Sequence, residues 1–364
     1  GACRTNQGHD EYCGPQSYDG VPDRLWRNRG DGSFEDVSET AGLRYPDGGR
    51  RAKGLGAVCL DLTGDGWADV YVANDGEANQ FWVNRGDGTF VDESLLRGVA
   101  VNRHGRAEAS MGVSVGDVNG DGRLDVYLTH LALENNTLYM GADALPFRDG
   151  TAAAGMGGDD LLYTGFGCGL LDADLDGDLD LAVVNGQVRG VLEELPRDGP
   201  FWRRYAEPNL LFENGGDGRF RVSPARAGAF GRPVEVSRGL ALGDLDDDGD
   251  VDLVTSNVDG SLRLFLGVAP SAGGGWVRVR ASSGARDALG AIVTLVLDDG
   301  TRRVAPVLSG HGYQSSHDPR AHFGLGAHVA VAVEIRWPDG SSERFETPGV
   351  QGDLALVQGS GARL

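Results

Sequence analysis

The chain has 364 residues, enough for two domains and a sizeable core, and its 40% hydrophobic and 24% charged residues exclude wholesale disorder. A formal charge of −21 argues against a nucleic-acid partner, because a phosphate backbone requires a basic face. No apolar run approaches a membrane span, so no membrane insertion is expected.

In chain order, residues 1–20 read as an N-terminal arm in which Cys3 and Cys13 lie close enough to pair, which suits an oxidising compartment. Residues 21–270 carry a repeat. Its most regular part is an Asp-rich loop that occurs four times: Asp61–Asp69, Asp117–Asp125, Asp172–Asp180 and Asp244–Asp252, with starts 56, 55 and 72 residues apart. Each loop follows a Gly-rich apolar run and precedes a β-like run. Cys59 and Cys168 sit in two of those apolar runs and read as buried free thiols. Between the loops recurs a hairpin signal built on Asp-Gly, at Asp23–Phe34, Asn79–Phe90 and Asn209–Phe220, with a degraded copy at Asn136–Phe147. One repeat is thus about four short strands, the size of a propeller blade. The fold class expected is all-β: a propeller of such blades with strand–loop–strand calcium sites, followed at 275–364 by a small β-sandwich-like domain.

The loops have the chemistry of a hard-cation site. Oxygen side chains at positions 1, 3 and 5 converge when the chain curls tightly, Gly at position 6 allows the turn, and the carbonyl at position 7 adds a ligand. A carboxylate at position 9 closes the set. The expected ligands are Asp61, Thr63, Asp65, Trp67 (carbonyl) and Asp69 in loop one, and Asp117, Asn119, Asp121, Arg123 (carbonyl) and Asp125 in loop two. Loop three offers Asp172, Asp174, Asp176, Asp178 (carbonyl) and Asp180; loop four offers Asp244, Asp246, Asp248, Asp250 (carbonyl) and Asp252. About four Ca²⁺ ions are implied, with the four-carboxylate loops three and four binding more tightly than loops one and two. Position 12 holds Val72, Leu128, Val183 and Thr255, so these are not helix–loop–helix switches.

Two features depart from the repeat. The long gap before loop four holds an insertion, Val191–Pro208, whose Phe201, Trp202, Arg203 and Tyr205 are typical binding-anchor types. Beyond the repeats, His311, His317 and His322 cluster with Asp318 and Tyr313, and His311 and His317 are carried as candidate ligand-binding residues. His130 ends a strand where the other repeats have Asn, and is read as structural. The Arg29-Gly-Asp31 and Arg85-Gly-Asp87 tripeptides fall within the repeat's own turn and are read as incidental.

The Asp loops and Asn-x-Gly-Asp-Gly-x-Phe hairpins resemble FG-GAP or VCBS-type propeller repeats. The later segments Trp276-Val-Arg-Val-Arg280, Arg286–Thr294, Ser309-Gly-His-Gly-Tyr313, Asp318–Gly326 and Val333–Gly340 resemble the ASPIC/UnbV domain. Set against that resemblance, which implies about seven blades, the chain reads as half a blade plus four. It is expected to be a fragment or processed form, or else a shorter ring closed by terminal strands.

No phosphate loop or dinucleotide fingerprint occurs in the sequence. The function expected is a secreted, periplasmic or cell-surface binding or adhesion module for an extracellular protein or glycan. The alternative is an extracytoplasmic enzyme of secondary metabolism or carbohydrate processing, with its site in the propeller funnel or at the C-terminal histidines. A passive structural component is the third class.

Overall fold

A computed structural model of the chain describes residues 3–4, 10–11, 13–43, 52–142, 146–188, 201–269 and 274–364. Apart from one short α-helix, Pro224–Gly231, and two 3-10 turns, the regular elements described are strands. Three four-stranded antiparallel sheets and one three-stranded sheet follow one another along the chain, each with its strands in meander order. The first blade runs Gly54–Leu60, Asp69–Asn74, Gln80–Asn84, Phe90–Asp92; the second Val113–Gly116, Asp125–Leu128, Thr137–Met140, Arg148–Asp149. The third runs Gly165–Leu171, Asp180–Asn185, Leu210–Asn214, Phe220–Val222, and the fourth Ser237–Gly243, Asp252–Asn257, Arg263–Phe265. Ahead of them the hairpin Trp26–Asn28/Phe34–Asp36 forms its own two-stranded sheet and lays Leu25 and Val37 against Val72 and Trp82 of the first blade.

Stacking neighbours is what buries these sheets. Val118, Tyr127 and Leu138 of the second blade pack on Cys168, Val183 and Phe212 of the third, and Val184 and Leu211 of the third pack on Leu240 and Leu253 of the fourth. At the axis the first strands approach closely because they carry glycine. A Cβ on Gly112 would lie 2.1 Å from the Phe166 carbonyl, and one on Gly167 2.6 Å from Leu240 N. The same face of the first blade lacks a described inner strand ahead of it. Cys59 is therefore exposed, not buried as expected, whereas Cys168 is buried between blades. Both are free thiols, and Cys13 is disulfide-bonded. Nothing is described of the Cys3 side chain.

The C-terminal strands make a two-sheet sandwich. One sheet holds Arg286–Asp287, Gly275–Ser283 and Ala321–Gly326, with Gly352–Val357 added parallel to Gly275–Ser283; the other holds Arg302–Pro306, Ile292–Leu297, Ala330–Arg336, Ser342–Val350 and Ala362–Arg363. Val277, Val293, Leu295, Phe323, Ile335 and Trp337 fill the space between them. The hairpin Gly310–His311/Ser315–Ser316 leaves this sandwich and lies over the first strands of the blades. Gly312 exchanges two backbone hydrogen bonds with Val113 (3.2 and 2.6 Å), and Tyr313 packs edge-on against Phe166. No described helix is long and apolar enough to cross a membrane.

Candidate functional site

Each Asp loop joins the first and second strands of its blade, and all four share one internal wiring. The position-6 glycines Gly66, Gly122, Gly177 and Gly249 have φ of 93°, 84°, 99° and 97°, a region that favours glycine. Their N–H groups donate to one oxygen of the position-1 carboxylates of Asp61, Asp117, Asp172 and Asp244 at 2.8–2.9 Å. At position 5, Asp65, Asp121, Asp176 and Asp248 accept from the position-7 N–H at 2.9–3.0 Å. The position-9 carboxylates do something their place in the motif does not suggest. One oxygen accepts from the position-2 N–H and the other from the backbone at the end of the third strand, as in Val118 N to Asp125 (3.0 Å) and Gly141 N to Asp125 (2.7 Å). Asp69, Asp180 and Asp252 repeat this double contact. Position 9 therefore ties the loop to the blade, and in loop four Asp252 also joins a convergent set of carboxylates.

The second oxygen of position 1 separates the loops. In loop one it accepts from Gly64 N (2.7 Å) and Asp65 N (3.2 Å), and in loop two from Asp121 N (3.1 Å). In loops three and four the Oδ1 atoms of Asp172 and Asp244 are buried and have no hydrogen-bond partner. Around them, oxygens of Asp172, Asp174 and Asp176, and of Asp244, Asp246 and Asp252, converge within 4.8 Å. An orphaned buried carboxylate oxygen costs at least about 1–3 kcal/mol, so a donor set of this kind fits a hard divalent cation. In loop two, by contrast, Asp121 is engaged by the side chains of Asn119 (3.0 Å) and Arg123 (2.8 Å). In loop one, Thr63 Oγ1 sits 3.5 Å from Asp61, and the Trp67 ring lies over Gly86.

The electrostatics agree. Burial, reinforced by neighbouring carboxylates, pushes Asp69 up to about 6, Asp125 and Asp180 to about 7 and Asp172 to about 8. Such groups gain from a bound cation, which favours their ionised form. A calcium ion would there supply charge neutralisation and a fixed oxygen geometry; the loop residues supply the convergence.

The histidines occupy the interior. His317 Nδ1 accepts from Leu242 N (3.2 Å) while Nε2 faces the Cys168 carbonyl (3.3 Å), and the His311 ring lies 4.8 Å from that of His317. Burial lowers His311 to about 3 and His317 to about 4, so both are neutral near pH 7. They border a cavity of about 110 Å³ between the hairpin and the blades, whose Arg320 and Arg278 are paired with Asp318, Asp244 and Asp353. These rings thus serve as the seat of the hairpin. Of the insertion, residues 191–200 lie outside the described residues. Phe201–Tyr205 forms a 3-10 turn in which Phe201 and Arg203 are exposed, Trp202 is half-buried and Tyr205 is buried. Arg204 stacks over the Phe201 and Tyr205 rings at 4.4 and 5.0 Å.

Sequence reasoning missed the C-terminal residues that touch the loops: Arg278 on Asp244, Gly324 on Asp172 and Arg336 on Asp61. Only the Gly324 and Gly326 pair carries a readable sign, since paired glycines in a strand mark close approach.

Residues 281–363 match the ASPIC and UnbV family, and residues 61–128 match the FG-GAP-like repeat. Cartilage acidic protein 1 of Xenopus tropicalis is 30% identical over 322 residues, which is 84% of this chain and 44% of that protein. The Homo sapiens protein of the same name is 30% identical over 322 residues, covering 86% and 44%. The chain spans less than half the length of these relatives. Among solved structures, the BP39L lectin from Burkholderia pseudomallei overlaps loosely, with a TM-score of 0.37 and 12% identity over 92% of this chain and 94% of the lectin. One segment of the chain thus matches the FG-GAP-like repeat and its C-terminal segment matches the ASPIC and UnbV family, and most of its length is similar to part of cartilage acidic protein 1.

Proposed function

We infer that the chain is a secreted or cell-surface, calcium-stabilised propeller module that binds an extracellular protein or glycan. Calcium belongs to the scaffold in this reading: the loop carboxylates are wired into their own blades, and the orphaned oxygens of Asp172 and Asp244 support cations held inside the fold. A disulfide at Cys13 favours an oxidising compartment. The observation that carries the binding role is the turn Phe201–Tyr205. It presents Phe201, 45% exposed, with Arg203 and part of Trp202 on a base fixed by buried Tyr205 and the stacked Arg204. Aromatic and Arg side chains held rigidly at a surface are the usual anchors of an interface.

Protein and glycan arrays probed with the full chain in millimolar calcium test this. Phe201→Ala and Trp202→Ala should each weaken a hit at least tenfold while leaving the thermal midpoint within a degree or two. Hits that survive both substitutions unchanged would move the binding face elsewhere.

A further inference from the structure

The C-terminal sandwich reaches the position-1 Oδ2 of loop one through Arg336 as well as those of loops three and four, but only in loops three and four does it also hold position 4 while Oδ1 is left without a partner. In loop three the Asp172 oxygen that takes Gly177 N also accepts from Gly324 N at 3.0 Å. The carbonyl of Leu175, at position 4, accepts from Gly326 N at 2.9 Å. A Cβ on Gly324 would lie 2.2 Å from that Asp172 oxygen and 2.5 Å from the Leu175 Cα, so the approach requires glycine. In loop four Arg278, itself buried, donates to Asp244 Oδ2 at 2.7 Å and to Asp247 Oδ1, again at position 4, at 2.9 Å. Asp353 holds the same guanidinium at 2.6 and 2.8 Å.

Position 4 is left-handed in all four loops. Loops one and two place Gly64 and Gly120 there, whereas loops three and four force Leu175 and Asp247 to φ of 60°. Both strained residues are pinned by the C-terminal sandwich. The position-6 glycines are roofed by it too: a Cβ on Gly177 or Gly249 would strike Arg303 or Trp276, while nothing lies within 4 Å of one on Gly66 or Gly122. In each covered loop one carboxylate thus gives Oδ2 to the C-terminal sandwich and keeps Oδ1, buried and unpartnered, for the loop interior.

We propose that loops three and four are composite cation sites completed by the C-terminal sandwich, so that cation occupancy and docking of the sandwich strengthen one another. The proposal rests on the calcium reading above. A cation orders a loop crowded with carboxylates and so fixes the surface that Arg278 and Gly324 grip; the docked sandwich in turn aims the position-1 carboxylate. Partners that orient a metal ligand are worth roughly tenfold to a hundredfold in affinity, and the coupling is reciprocal.

Hydrogen exchange on the full chain, with saturating calcium and after chelation, tests the first half. Chelation should speed exchange in Gly275–Ser283 and Ala321–Gly326 together with loops three and four. Calcium isotherms test the second half: Arg278→Gln and Gly324→Ala should each weaken one tight site about tenfold or more and leave the other sites unchanged. Loops that gain protection from calcium while those two strands do not respond would overturn the coupling, as would variant isotherms that superimpose on the parent. A chain that binds no calcium at any loop would sink the calcium reading itself, and the proposal with it. If a variant fails to fold, the exchange comparison on the unaltered chain still decides.

Discussion

At the residue scale, the position-9 aspartates combine two duties that their motif position alone does not separate. Asp125 is fully buried and accepts two backbone N–H groups, one from position 2 of its own loop and one from the end of the third strand. Asp125→Asn keeps one acceptor but turns an NH₂ toward a backbone donor and removes a ligand charge. Calorimetry should show a midpoint lowered by several degrees in calcium, and by clearly less in chelator, where burial already favours the neutral acid. Equal shifts in both conditions would leave the strand tie and remove the ligand role. His130 supplies a second test. In the other repeats Asn74, Asn185 and Asn257 donate through their side-chain amide to a nearby carbonyl, whereas both ring nitrogens of His130 are buried without a partner, with Glu108 3.8 Å away. Burial lowers its pKa from 6.5 to about 3. The unfolded chain therefore takes up a proton below pH 6.5 that the folded chain refuses, and this stability is lost as pH falls from 6.5 toward 3. His130→Asn should be the more acid-resistant protein by about 2 kcal/mol at pH 5 relative to its difference at pH 7, read from denaturant curves in saturating calcium.

At the element scale, the blades were legible because each is a local unit. The Asp-Gly hairpins at Asn79–Phe90 and Asn209–Phe220 and the strand after every Asp loop lie where alternation and turn chemistry place them. What was not legible are contacts between distant segments, which leave no period in the chain. Nothing near His311 announces that its hairpin covers Val113, nor does Trp276-Val-Arg-Val-Arg280 reveal that Arg278 reaches Asp244. The fourth blade has three described strands, and its last, Arg263–Phe265, leaves Leu264 and the flanking Leu262 and Leu266 more than half exposed. Its amides should exchange fastest among the third strands of the blades; protection equal to that of Gln80–Asn84 would show the edge to be covered in solution. For the hairpin, Gly312 has φ of 67° and a Cβ there would lie 3.1 Å from the Cys168 carbonyl. Gly312→Val should cost about 1–3 kcal/mol and lower the midpoint by several degrees.

For the whole molecule, net charge and repeat number bear on the same quantity. Four divalent ions would take the formal charge from −21 to about −13, relieving repulsion that burial of the loop carboxylates concentrates. Each site contributes about 2.7 kcal/mol when free calcium is a hundred times its dissociation constant. Chelation should therefore lower the thermal midpoint by many degrees, and a melt that does not move would exclude structural calcium. Loops three and four should empty last, since each presents four carboxylates and a covered interior.

The hairpin over the blade axis also bears on how the chain comes to be folded. Val113 and Gly312 lie about 200 residues apart in sequence, so the first strands stay uncovered until the chain through Gly312 has been synthesised. Individual blades can assemble during synthesis, but the axial seal forms after them, through a long-range and therefore slow kind of loop closure. Between those two moments a row of apolar strands faces solvent. The period of greatest exposure to aggregation and to proteases is then set by translation speed between the blades and the hairpin.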